Sequence, residues 1–144
     1  MTNTGESMDF DLSSGIAAFE GKNFSRAAEL LSPLAEAGAP EAQYRIAIMA
    51  QGGLGMVVNE LMAYKFMKAA AEAGHPMAQH GLGFMYLEGE CVDQNLPKAV
   101  EWFKLAAEQG LAGSQTTLGM LYEEGRGVEK DPEEARRWYE KAGF

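Results

Sequence analysis

The chain has 144 residues, 47% hydrophobic and 23% charged, which is ordinary for one folded domain or one short solenoid. Its formal net charge of −9 argues against nucleic acid and against an anionic membrane surface, both of which need clustered Lys and Arg. Cys91 is the only cysteine, so no disulfide forms within the chain, and no apolar run reaches the roughly 18 residues of a spanning helix.

Residues 1–7 are small and polar and are expected to be disordered. The start has neither a basic region nor an apolar core, so no signal peptide is visible. A cytoplasmic location is expected, or a periplasmic one if a signal was removed. Four helix pairs follow, each with a first helix A and a second helix B. In the first pair (8–39), helix A is expected over Met8 to Phe19 and helix B over Phe24 to Ala37, with a short turn at Glu20-Gly21-Lys22-Asn23. Gly15, Ala27, Leu31 and Leu34 align with the later pairs once four residues are taken out of the turn, so this pair reads as an atypical end repeat.

The second pair (40–75) places helix A over Pro40 to Gln51, with Ile46 and Met49 inward. Its helix B runs from Glu60 to Ala73 with Asn59 as cap and Ala63, Phe66, Met67 and Ala70 inward. The third pair (76–111) is clearest. Pro76 opens helix A, which runs to Glu88 with Leu82, Met85 and Tyr86 inward, and Gly89 ends it. Asn95 caps helix B, expected over Pro97 to Gln109, where Ala99, Trp102, Phe103 and Ala106 make the core face. His75 is expected in an exposed turn. The fourth pair (112–144) repeats this, with helix A over Ala112 to Glu124 and Leu118, Leu121 and Tyr122 inward. Asp131-Pro132-Glu133-Glu134 is a strong start for its helix B, whose core face is Ala135, Trp138, Tyr139 and Ala142.

The pairs are copies of one another. Gly38, Gly74 and Gly110 are 36 residues apart, as are Gly53, Gly89 and Gly125, and Ala27, Ala63, Ala99 and Ala135. A fixed period of this size marks a stacked array whose unit cannot bury its apolar face by itself. Gly83 and Gly119 sit in mid-helix, where Gly costs about 1 kcal/mol against Ala. The repetition of that cost points to a space limit where helix A crosses helix B, with Gly15 and Ala47 as the small residues in the other pairs.

The pattern Ala-x-x-x-Leu-Gly-x-Met/Leu-Tyr-x-x-Gly-x-Gly/Cys-Val, followed by Asp/Asn and Ala-x-x-Trp-Phe/Tyr-x-x-Ala-Ala-Glu-x-Gly, spans Ala78 to Gly110. It returns from Ser114 to Ala142 and more weakly from Ala42 to Gly74. These residues resemble the Sel-one-like repeat (SLR) family, a relative of the tetratricopeptide repeats. The resemblance implies an all-α fold, a right-handed α/α solenoid of about four antiparallel helix pairs (eight helices), and an adaptor role in assembling protein complexes. Some secreted relatives carry a Cys pair in every repeat; a chain with Cys91 alone departs from that subgroup.

In tetratricopeptide-like superhelices the A helices line the concave face. Register then gives one column of Leu12, Tyr44, His80 and Thr116, a second of Ile16, Ile48, Phe84 and Met120, and a third of Phe19, Gln51, Leu87 and Glu123. The expected partner groove is apolar at its centre and comprises Leu12, Ile16, Tyr44, Ile48, His80, Phe84, Leu87, Thr116 and Met120. The expected function is a non-enzymatic scaffold that takes a peptide or helix of a partner protein in this groove. His80 reads as a polar groove contact and not as a metal ligand. No catalytic, cofactor-binding or metal-ligating motif is present, the loop glycines lacking the Lys-Ser/Thr of a phosphate loop. Two alternatives stand beside this: a hydrolase of cell-wall or lactam type, suggested by the secreted relatives, and a regulatory homodimer joined through its terminal helices.

Overall fold

The computed structural model describes residues 4–144. They form eight helices and no strand: α1 (Thr4–Glu20), α2 (Phe24–Glu36), α3 (Pro40–Gly52), α4 (Glu60–Glu72), α5 (Pro76–Glu88), α6 (Leu96–Glu108), α7 (Ala112–Glu124) and α8 (Pro132–Lys141). The all-α expectation is met. The chain divides after Ala73 into two compact units, the first carrying α1–α4 and the second α5–α8. Within each unit the odd-numbered A helix packs on the even-numbered B helix that follows it, and each B helix packs on the next A helix.

One boundary moves. Helix α1 begins at Thr4, so residues 4–7, expected to be disordered, are helical, while residues 1–3 lie outside the described residues. His75 is half-buried, where an exposed turn was expected. It is the N-cap of α5, its Nδ1 accepting from the Ala78 amide at 3.1 Å. An imidazole nitrogen here takes the place of the usual Asn, Asp or Ser oxygen.

The loops after α3, α5 and α7 are built alike. Gly53, Gly89 and Gly125 have φ of 67°, 69° and 69°, the left-handed conformation that a residue with a Cβ adopts at a cost. The residue that caps the next helix then does two jobs. The Asn59, Asn95 and Asp131 side chains accept from Met62, Lys98 and Glu134 amides. Their own amides donate to the carbonyls of Ala50, Tyr86 and Tyr122 in the last turn of the A helix, at 2.8, 2.9 and 2.9 Å. One residue thus starts helix B and satisfies an orphan acceptor of helix A. In the first pair Asn23 plays the same part, accepting from Arg26 and donating its amide to Ala18.

The core follows the repeat. Ala27, Ala63, Ala99 and Ala135 are all buried, as are Ala35, Ala71 and Ala107. The first unit centres on Leu31, Leu34, Ile46 and Met49, and the second on Leu82, Met85, Phe103 and Leu118. Of the expected core faces, Phe66, Trp102, Tyr122, Tyr139 and Ala142 are half-buried and not buried. The mid-helix glycines mark the crossings. A Cβ on Gly83 would stand 2.9 Å from the Phe103 ring, one on Gly119 2.8 Å from the Tyr139 ring, and one on Gly15 2.5 Å from the Leu31 side chain. Each A helix has a hollow there because its B helix fills it.

A polar column also recurs. Gln43, Gln79 and Gln115 are buried. Gln43 Nε2 donates to the Ala35 carbonyl at 3.2 Å, and Gln115 Nε2 to the Ala107 carbonyl at 3.1 Å. Each ties an A helix to the C-terminal turn of the preceding B helix, where carbonyls lack helical partners. Gln79 Oε1 accepts from Gln109 Nε2, which also donates to the Gly74 carbonyl, both at 2.9 Å.

Gly83→Leu is expected to destabilise the chain by about 1–3 kcal/mol or more, because the Phe103 ring has no room to retreat. Gly113→Ala meets only the His80 ring at an ordinary 3.6 Å and is expected to gain about 0.5 kcal/mol from helix propensity. Urea unfolding of both variants checks the contrast; equal midpoints would remove the space limit.

Candidate partner surface

The A helices carry the candidate surface, and each unit presents its own part. In the first unit Ile16, Tyr44 and Ile48 are half-buried. Leu12 is half-buried too, but packs against the core of that unit. Arg45, which the apolar columns left out, lies with its guanidinium 5.8 Å from the centre of the Phe19 ring and 5.9 Å from that of Tyr44. Its Nη1 pairs with the Glu41 carboxylate at 2.6 Å, one turn back on α3. This half of the surface therefore mixes aromatic rings with a cation whose charge is partly met. Burial pushes the Tyr44 hydroxyl pKa above its ordinary value, offset by Arg45, so it remains a neutral donor at physiological pH.

In the second unit three rings make one edge-to-face cluster. Phe84 meets His80 at 4.9 Å and Phe103 at 5.0 Å, and His80 meets Phe103 at 5.5 Å. Phe103 reaches this cluster from α6 because Gly83 leaves it space. His80 Nδ1 shares a 2.6 Å hydrogen bond with the Ser114 hydroxyl of α7. A serine beside a histidine invites a nucleophilic reading, but Ser114 is 0% exposed and no substrate reaches its oxygen. The pair braces α5 to α7.

The remaining positions divide. Met120 is 47% exposed and free to touch a partner. Leu87, expected to line the groove, is 9% exposed and belongs to the core, because helix α5 is apolar around most of its circumference. Thr116 Oγ1 donates back to the Ala112 carbonyl of its own helix at 3.1 Å. Glu123 accepts from the Tyr139 hydroxyl at 2.6 Å, and that bond, ahead of burial, pushes the tyrosine pKa up to about 12.

Burial lowers the His80 pKa from 6.5 by disfavouring the charged ring. Because the folded value lies below the unfolded one, the stability tied to neutral His80 is complete above about pH 6.5 and is lost as pH falls through the folded value. Unfolding free energies at about pH 7.5 and about pH 5.5 are expected to show a drop that His80→Gln reduces. An identical drop in the variant would show that His80 does not carry the dependence.

The Sel1 repeat family model matches residues 40–75, 76–111 and 112–143. A comparison with curated proteins gives no match. Among solved structures, a Sel1 repeat protein from Oxalobacter formigenes is 33% identical with a TM-score of 0.87, over 92% of this chain and 53% of that one. A protective antigen of uropathogenic Escherichia coli strains that displays an SLR fold is 36% identical with a TM-score of 0.88, over 96% of this chain and 31% of that one. The chain thus spans about half of the first and under a third of the second. Helicobacter pylori cysteine rich protein B, at 20% identity and a TM-score of 0.61 over 91% of this chain and 87% of its own, shares the fold. With three consecutive repeats matched, the chain belongs to the Sel1 repeat family.

Proposed function

We propose that this chain is a non-enzymatic adaptor that binds a peptide or helix of a partner protein on its A-helix faces. Sel1 repeat proteins are generally protein-interaction scaffolds. The observation that carries the reading for this chain is the state of the large side chains on those helices. Ile16, Tyr44 and Ile48 in the first unit and Phe84 in the second are held half-exposed, and Met120 stands in solvent. Rigid helices that leave such groups partly wet provide preorganised anchors, and an apolar surface of this kind normally meets a protein. The Phe84 ring has fixed neighbours and loses little freedom on binding, while Met120 adapts its shape to what arrives.

The dimeric alternative has less behind it. In the third pair Leu87, Val100 and Phe103 are buried. At the same places in the fourth pair stand Glu123, Arg136 and Tyr139, which with Pro132 and Ala135 line a cavity of about 240 Å³. Charged and polar groups thus stand where a second copy would need an apolar centre.

A photoreactive amino acid at Met120 is expected to capture the partner in cells, while one at Leu105, equally exposed but on α6, captures none. Met120→Glu is expected to weaken that partner by about tenfold or more with an unchanged thermal midpoint. Capture from Leu105 with none from Met120 would move binding off the A helices and overturn the reading.

A further inference from the structure

We propose a second docking surface on the B helices of the first unit, between α2 and α4. It takes a segment of a partner protein that inserts one large apolar side chain, with a carboxylate for Lys65 and a basic group for Glu36. The chain contains its own control for this surface. Val57, Val58, Leu61 and Met62 occupy the places of Asp93, Gln94, Pro97 and Lys98 in the third pair, and of Glu129, Lys130, Glu133 and Glu134 in the fourth. Four positions that are charged in the fourth pair are apolar in the second. Val57, Val58 and Leu61 are 88%, 54% and 63% exposed. The fold of the repeat therefore does not require these apolar groups, and their cluster in water marks an interaction site.

Beside them lies a cavity of about 430 Å³, lined by Glu36 at the end of α2 and by Asn59, Leu61, Met62, Lys65 and Phe66 at the start of α4. That size suits one large side chain with its flanking contacts. Met62 and Phe66 also pack against the core, so the floor is fixed.

Charge selects the occupant. In the fourth pair Arg137 is paired with Glu134 on the same helix. Lys65 stands at the place of Arg137 and Met62 at that of Glu134, so Lys65 has lost its intrahelical carboxylate. Neither Lys65 nor Glu36 has an ion-pair partner among the described residues. Asn59 is occupied in capping α4. An apolar anchor flanked by an acid and a base meets both free charges and fills the space between them. A net charge of −9 weighs against a second copy and against an anionic lipid surface.

The test uses the whole chain to select binders from a displayed library of random peptides, followed by methyl NMR with the enriched peptide. Enriched peptides are expected to share a large apolar residue with acidic and basic neighbours and to shift the methyls of Val57, Val58 and Leu61. Lys65→Glu is expected to weaken such a peptide about tenfold, and replacing the peptide's acid by Lys restores binding to that variant. Leu61→Glu, which places the fourth pair's residue here, is expected to abolish binding with the thermal midpoint kept; if the midpoint falls, Val58→Lys serves in its place. The proposal is overturned if selection enriches nothing. It is equally overturned if the peptides shift only Ile16 and Ile48, if affinity survives Lys65→Glu, or if the Val57 and Leu61 shifts arise from self-association without peptide. The Ile16 and Ile48 outcome would leave the A-helix reading standing.

Discussion

Two helices joined in a hairpin can share a buried face only where one offers a hollow and the other fills it. In three of the four pairs the hollow is a glycine in mid-helix, and the filler is an aromatic ring or a leucine one helix later: Phe103 over Gly83, Tyr139 over Gly119, Leu31 over Gly15; in the second pair Ala47, fully buried, takes that place. At each of these glycines the helix gives up about 1 kcal/mol of propensity and gains close packing across the pair. The buried alanine columns extend the same logic along the chain, since Ala99 and Ala106 let backbones approach where a larger residue would hold them apart. The loops depend on it as well. A Cβ on Gly55 would lie 2.6 Å from the Phe24 backbone, and one on Gly127 2.6 Å from the Leu96 carbonyl, so each loop rests directly on the preceding B helix.

That packing also determines what is left for a partner. With Phe103 seated in the hollow of α5, Phe84 and His80 are held against it at the surface of the unit. With His80 tied to the fully buried Ser114, the ring cannot swing out. The same residues are therefore brace and surface at once. A substitution there reads on stability and on binding together, whereas Met120 and Leu61 stand clear of the core and separate the two.

The period of 36 was legible because glycine and alanine fall at fixed places for steric reasons that no neighbour can override. Caps were legible for the same reason at Asn59, Asn95 and Asp131, where side chain and position both match the need of a helix start. The cap at His75 is not legible, because imidazole seldom serves there. The glutamines at 43, 79 and 115 obey the period as strictly as the glycines, yet a polar side chain on a helix carries no sign in the sequence that it is buried. Leu87 was misplaced because α5 carries Leu82, Phe84, Met85, Tyr86 and Leu87 in near succession, and such a helix does not reveal which apolar residue faces inward. The polar start of the chain concealed the first turn of α1. The apolar places at Val57, Val58 and Leu61 are visible in the sequence as departures from the later repeats, but only the structure shows them in water.

The central claim is that a helix pair of this chain cannot bury its own apolar side and folds only against a neighbour within its unit. Circular dichroism melting of two fragments tests it most directly. Residues 74–144, a whole unit, are predicted to show a cooperative transition, while residues 112–144, one pair, are predicted to remain largely unfolded at the same temperature. A cooperative melt of residues 112–144 at the midpoint of the whole unit would contradict the account.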